Sequence, residues 1–166
     1  EEHHTPYTEE EMIKIWDSIG TVDYVDILLV QCYSGWRPGE IGLLKIKDVD
    51  LDNWTYTGGI KTDAGRNRTV PIHSRIRELV QRRYDEAVKN NREYLFNYRD
   101  KEGRYSQITY RRYQNIINNI KKILALDSDH KPHDGRAHFV TMAKTAGVDE
   151  YAIKYMVGHK ISDITE

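Results

Sequence analysis

The side chains best suited to chemistry in this 166-residue chain are cations and imidazoles at short, regular spacings. In "HKPHDGRAHFVT", His133 and Arg136 stand three apart at an expected helix start. That spacing puts both on one helix face, and the helix end adds partial positive charge there. In "GWRPGE", Arg37 opens a second short helix, with Glu40 one turn on and able to orient the guanidinium. "GGIKTDAGRNR" presents Lys61 at a hairpin tip, and "MVGHK" puts His159 just past a helix end. Arginines that fork onto oxyanions, with a lysine and imidazoles beside them, suit a phosphate group. Each fragment has a plainer alternative: a helix-start salt bridge for Arg37 and Glu40, a structural histidine and a surface arginine for the pair at 133 and 136. A zinc site fits less well. His130, His133 and His138 do not share a face, and Cys32, the only cysteine, has no partner nearby.

The elements that must position these residues are legible from periodicity. Thr8 and Glu11 form a capping box before a helix whose apolar face is Met12, Ile15, Trp16 and Ile19. A second helix is expected over 22–33, with Val25, Leu28, Leu29 and Cys32 inward, and Pro38 suits the first turn of a third that runs to Leu44. The period then changes to two. "KIKDVDL", "NWTYTGGI" and "RNRTVPI" read as three short strands. Further helices are expected from Ser74 to about Val88, from Ser106 with Ile116, Ile120, Ile123 and Leu124 inward, over 133–146 and over 149–157. The layout is α+β, mostly α-helical, with a small three-stranded antiparallel sheet.

The size fits one domain that needs no disulfides. Cys32 lies in the apolar run "DILLVQC" and reads as a core residue in a reducing compartment. No apolar run reaches membrane-spanning length and no signal peptide opens the chain, so a cytoplasmic protein with no membrane partner is expected. Net charge is −1, but its distribution is uneven. Residues 1–26 carry eight acidic side chains against Lys14, whereas 61–83 and 99–122 are basic and interleaved or flanked with tyrosines. Solvated helix faces explain one such segment; two point toward a polyanion.

Arg37, Lys61, His133, Arg136 and His159, in this order, together with "SGWRPGEIGLLKIKDVDLD" and the capped first helix, resemble the catalytic domain of the tyrosine recombinases, the phage-integrase group. The resemblance covers nearly the whole chain, and it implies that family's fold. It also implies site-specific cleavage and rejoining of double-stranded DNA through a 3′-phosphotyrosyl link, with no cofactor or metal. Arg37 and Arg136 would hold the non-bridging oxygens, Lys61 would protonate the departing 5′-oxygen, His133 would accept the tyrosine's proton and His159 would donate to the phosphate. Glu40 would support Arg37, while Arg66, Arg68 and Lys131 would contact DNA. Assembly as a tetramer on DNA and a setting in a bacterial cell on a phage or other mobile element are further implications. Two features depart from the family pattern: Ala137 and His138 follow Arg136 where His-Thr is usual, and Gly135 replaces an apolar residue. None of the twelve tyrosines stands where the family's nucleophile does. Residues 1–166 are therefore expected to be a catalytic domain without the N-terminal DNA-clamping domain or the tyrosine segment, and inactive in cleavage by themselves. The alternative is a catalytically inactive DNA-binding regulator on the same fold. A metal-dependent nuclease would need a carboxylate cluster that the sequence does not offer.

Overall fold

The computed structural model describes residues 4–59 and 64–160. Helix α1 (Glu9–Asp17) starts on the expected box: Thr8 Oγ1 accepts from Glu11 N at 3.1 Å and Glu11 Oε1 from Thr8 N at 2.9 Å. Helix α2 (Val25–Cys32) begins later than its periodicity predicts, because Tyr24 takes a left-handed backbone, φ 69°, before it. All its residues except Asp26 are buried, Gln31 included. It is a central helix rather than a one-faced one, and α1, α4 (Arg77–Lys89) and α6 (Asp134–Thr145) pack around it. Helix α3 (Pro38–Ile41) is a single turn.

The sheet is antiparallel in the order β1 (Val49–Asp50), β2 (Thr55–Gly58), β3 (Arg68–Pro71), with Tyr56 opposite Val70. Because Ile46–Asp48 is a 3-10 turn, only Val49 and Asp50 of "KIKDVDL" form the strand. Asp50 shortens it further by accepting from the backbone N–H groups of Asp52 and Asn53. Helix α4 (Arg77–Lys89) follows a second 3-10 turn, Ser74–Ile76.

The stretch after α4 carries a hairpin, β4 (Asn97–Arg99) with β5 (Tyr105–Gln107). Its turn is fixed by Asp100, which accepts from Arg104 N at 2.8 Å. Since Ser106 is paired in β5, helix α5 (Tyr110–Leu124) starts later, capped by Thr109. Its inward stripe is Tyr113, Ile116, Ile117 and Ile120. Ile123 falls at the edge of that stripe in the last turn and is 54% exposed, contrary to its expected inward place. Helices α6 (Asp134–Thr145) and α7 (Glu150–Val157) close the fold, the latter ending at Gly158 with φ 75°. One large core runs through α1, α2, the sheet, α4 and α5; a smaller one, Phe139, Ala143, Ile153 and Val157, joins α6 to α7.

Candidate active site

Arg136 leaves the first turn of α6 and is 9% exposed. Its Nη1 donates to Gly35 O (2.7 Å), in the turn after α2, and to Val157 O (2.9 Å), at the end of α7. Its Nη2 lies 3.2 Å from His159 Nε2. Arginine only donates, so His159 Nε2 must accept and the imidazole proton sits on Nδ1. Burial and the nearby Arg37 charge pull the Arg136 pKa down to about 9, against the opposing pull of Glu40, which leaves it cationic at neutral pH. His159 is held below the ordinary histidine range by partial burial, then by Arg136 and Arg37. The place is thus short of negative charge, and an anion would relieve it.

Arg37 precedes Pro38 at the N-cap of α3. Glu40, 2% exposed, accepts from Arg37 N (2.9 Å) and from Arg37 Nη1 (3.3 Å), as the spacing predicts. It also carries a second arginine. Arg68 Nη2 and Nη1 fork onto its two oxygens at 2.6 and 2.9 Å, while Arg68 Nε donates to Met156 O (2.9 Å) and the guanidinium lies over the Trp36 ring. Burial opposes Glu40's charge, but Arg68 and the Arg37 backbone hold its carboxyl below its usual pKa.

The expected DNA contact at Arg68 is therefore corrected. The residue is 1% exposed and its charge is spent on Glu40. The reason is the period of the strand: Arg68 shares a face with buried Val70, two residues on. What it does instead is tie α3 to the end of α7, close behind Arg37 and His159. Gly158 is required there, since a Cβ on it would stand 2.7 Å from Arg68 Nη1.

His133 sits at the N-cap of α6, half-buried, its ring stacked on His4 at 5.2 Å and 6.2 Å from the Tyr110 ring. Arg66 and Lys131 are exposed. Lys61 lies outside the described residues. Arg37, Glu40, Arg136 and His159 thus converge, and His133 stands one helical turn from Arg136. Among the described residues no three of His, Cys, Asp or Glu converge as a metal site, and no helix is long and apolar enough to cross a membrane.

One supporting residue escapes a reading by motif. Gln31 donates to Trp36 O (3.2 Å) and Pro132 O (2.9 Å) and accepts from Tyr113 Oη (2.7 Å). It joins the backbones just before Arg37 and His133. Its only signal in the sequence is a polar side chain in an otherwise apolar run. It also explains Gly135, since a Cβ there would run into the Gln31 amide.

Residues 6–166 match the phage integrase family, and the chain belongs to it. It is 28% identical over 153 residues to tyrosine recombinase XerA of Pyrococcus horikoshii, an alignment covering 92% of this chain and 52% of the relative. It is 26% identical over 171 residues to tyrosine recombinase XerC of Staphylococcus saprophyticus, covering 95% and 55%. The chain thus spans about half the length of these curated relatives. Its fold is that of the XerA recombinase crystal structure (TM-score 0.79, 23% identity, 97% of this chain and 58% of that one). It is also that of the Tn1549 transposon integrase solved with circular intermediate DNA (TM-score 0.75, 22% identity, 99% and 60%).

Proposed function

We propose that this chain is the catalytic domain of a tyrosine-type site-specific DNA recombinase, acting on double-stranded DNA as part of a larger protein. The observation that carries the reading is Arg136. Its guanidinium is locked by Gly35 O and Val157 O, and Arg37 and His159 are close enough to shift its pKa or to bond it. A donor set fixed before substrate arrives stabilises charge that develops in a transition state without reorganising. On a phosphorane the equatorial oxygens would take the free edges of Arg37 and Arg136 and the Nδ1 proton of His159. His133 would take the proton of the attacking tyrosine and Lys61 would give one to the departing 5′-oxygen. The same reading gives Arg66 and Lys131 phosphate contacts beside the site and has the protein assemble as a tetramer on DNA in the cytoplasm.

The nucleophile belongs, on this reading, to a tyrosine outside residues 4–160. Tyr155 is a poor candidate, because its hydroxyl already accepts from Thr69 N at 3.0 Å. Tyr151 and Tyr155, both on α7, are 45% and 43% exposed. An inactive DNA-binding regulator is the second reading; the filled Arg37, Arg136 and His159 positions favour the enzyme over it. The test is a nicked, end-labelled duplex drawn from DNA flanking the coding sequence, incubated with the protein and run on a denaturing gel. A protein extending beyond residue 166 should trap a 3′-phosphotyrosyl adduct, and residues 1–166 alone should not. Stable binding with no adduct from any longer form would support the regulator.

A further inference from the structure

His130 opens the segment that carries His133 and Arg136 but has no part in the site described above, and it lies buried between two carboxylates. It is 5% exposed. Its Nδ1 lies 2.7 Å from Asp134 Oδ2 and its Nε2 lies 2.8 Å from Glu11 Oε1. A neutral imidazole has one N–H, so one nitrogen would turn a lone pair toward a carboxylate; only the imidazolium satisfies both. The carboxylates are themselves fixed. Glu11 is the capping-box residue of α1 and also accepts from Asp127 N at 2.9 Å. Asp134 is the first residue of α6 and accepts from the N–H groups of Thr5 (3.2 Å) and Lys131 (3.1 Å).

We infer that His130, as an imidazolium bridging Glu11 and Asp134, is a positioning residue that clamps the start of α6 to α1 and thereby sets His133 and Arg136. Asp134 adjoins His133 and lies two residues before Arg136, so a shift at this end of α6 moves both. The inference rests on the recombinase reading for its consequence, and on geometry alone for the bridge.

The surroundings are consistent with a charged ring. From the N-terminal segment the Tyr7 ring packs on it at 4.1 Å, and His4 Nδ1 lies 3.6 Å from the other Asp134 oxygen. From α5, Lys121 Nζ donates to His130 O at 2.6 Å, which holds its loop but adds a like charge nearby. Burial disfavours the imidazolium, yet the bonds to Asp134 and Glu11 outweigh it and hold the His130 pKa above its ordinary value. Burial also works against Glu11 and Asp134, whose hydrogen bonds nonetheless keep both below the usual carboxylate range. A raised histidine pKa stabilises the fold fully below the unfolded value, and that contribution is lost as pH rises through the folded one. For the lowered carboxylates the loss comes on the acid side. The clamp therefore holds from mildly acid pH to beyond the normal titration of histidine.

The test has two arms. Nitrogen-15 spectra of residues 1–166 should show both His130 nitrogens protonated at pH 7, with a midpoint above that of a free histidine. A ring neutral at pH 7 overturns the inference, whether or not any variant folds. In a protein that forms the adduct, His130→Gln should lower the single-turnover cleavage rate at saturating DNA, approaching about 100-fold. DNA affinity should be retained, and the alkaline fall in rate that tracks the His130 midpoint should vanish. His130→Gln with the wild-type rate and pH profile also overturns it; if that variant does not fold, Glu11→Gln is held to the same two readouts. An unsubstituted protein that forms no adduct counts against the recombinase reading, while the spectra still decide the bridge.

Discussion

At the scale of the residue, Arg136 shows why charge alone does not make the site. Its Nη1 is consumed by two backbone carbonyls, and its Nη2 meets a histidine that can only accept from it. A lysine would keep the charge and lose the planar fork that reaches all three groups. Arg136→Lys should therefore behave more like an alanine variant than a conservative one. The expected loss is roughly 10²–10³ in single-turnover cleavage rate. DNA affinity, measured by fluorescence anisotropy, should change little. A lysine variant within a few-fold of the parent would mean that a point charge suffices.

At the scale of the element, the pair Gln31 and Gly135 joins α2, α5 and α6 behind the site. Glycine inside a helix ordinarily costs about 1 kcal/mol against alanine. Here a Cβ would collide with the Gln31 side chain. Gly135→Ala should thus destabilise by about 1–3 kcal/mol despite its better helix propensity. In a Gln31→Ala background, where the space is open, the same change should become neutral or stabilising. Urea denaturation of the four proteins gives the cycle directly. The pair also marks the limit of reading by pattern. The box at Thr8 and Glu11, the strand pair around Tyr56 and Val70, and the helix carrying Arg136 were legible because local periodicity and caps dictate them. The β4–β5 hairpin was not, because its strands are three residues each, too short to show a period of two, although Gly103 with φ 84° closes the turn. Arg68 was legible in principle, since it alternates in step with Val70. Its charge argued for the surface, and only Glu40, distant in sequence, makes the interior tolerable.

At the scale of the whole molecule, the two basic segments are less free than their composition implies. Arg83 pairs with Asp26, Arg82 with Glu78, Arg68 with Glu40, and Arg104 with Asp100 and Glu102. With a net charge of −1 as well, duplex DNA should bind residues 1–166 only in the non-specific range of roughly 10⁻⁴–10⁻⁶ M, with a steep salt dependence. Arg66→Glu should weaken that binding and leave the melting temperature nearly unchanged. Arg68→Glu should instead lose the fold, because it buries two carboxylates together. Equal effects of the two reversals on binding, with neither unfolding, would restore Arg68 to the DNA-facing surface.

The central claim is that Arg37, Arg136 and His159 form a preorganised phosphate socket, and a tetrahedral oxyanion tests it most directly. Crystals of residues 1–166 soaked in tungstate should give a strong anomalous peak within hydrogen-bonding distance of both guanidinium groups and His159. The same peak should disappear in Arg136→Ala crystals. Tungstate that orders elsewhere on the surface while this position stays empty would contradict the account.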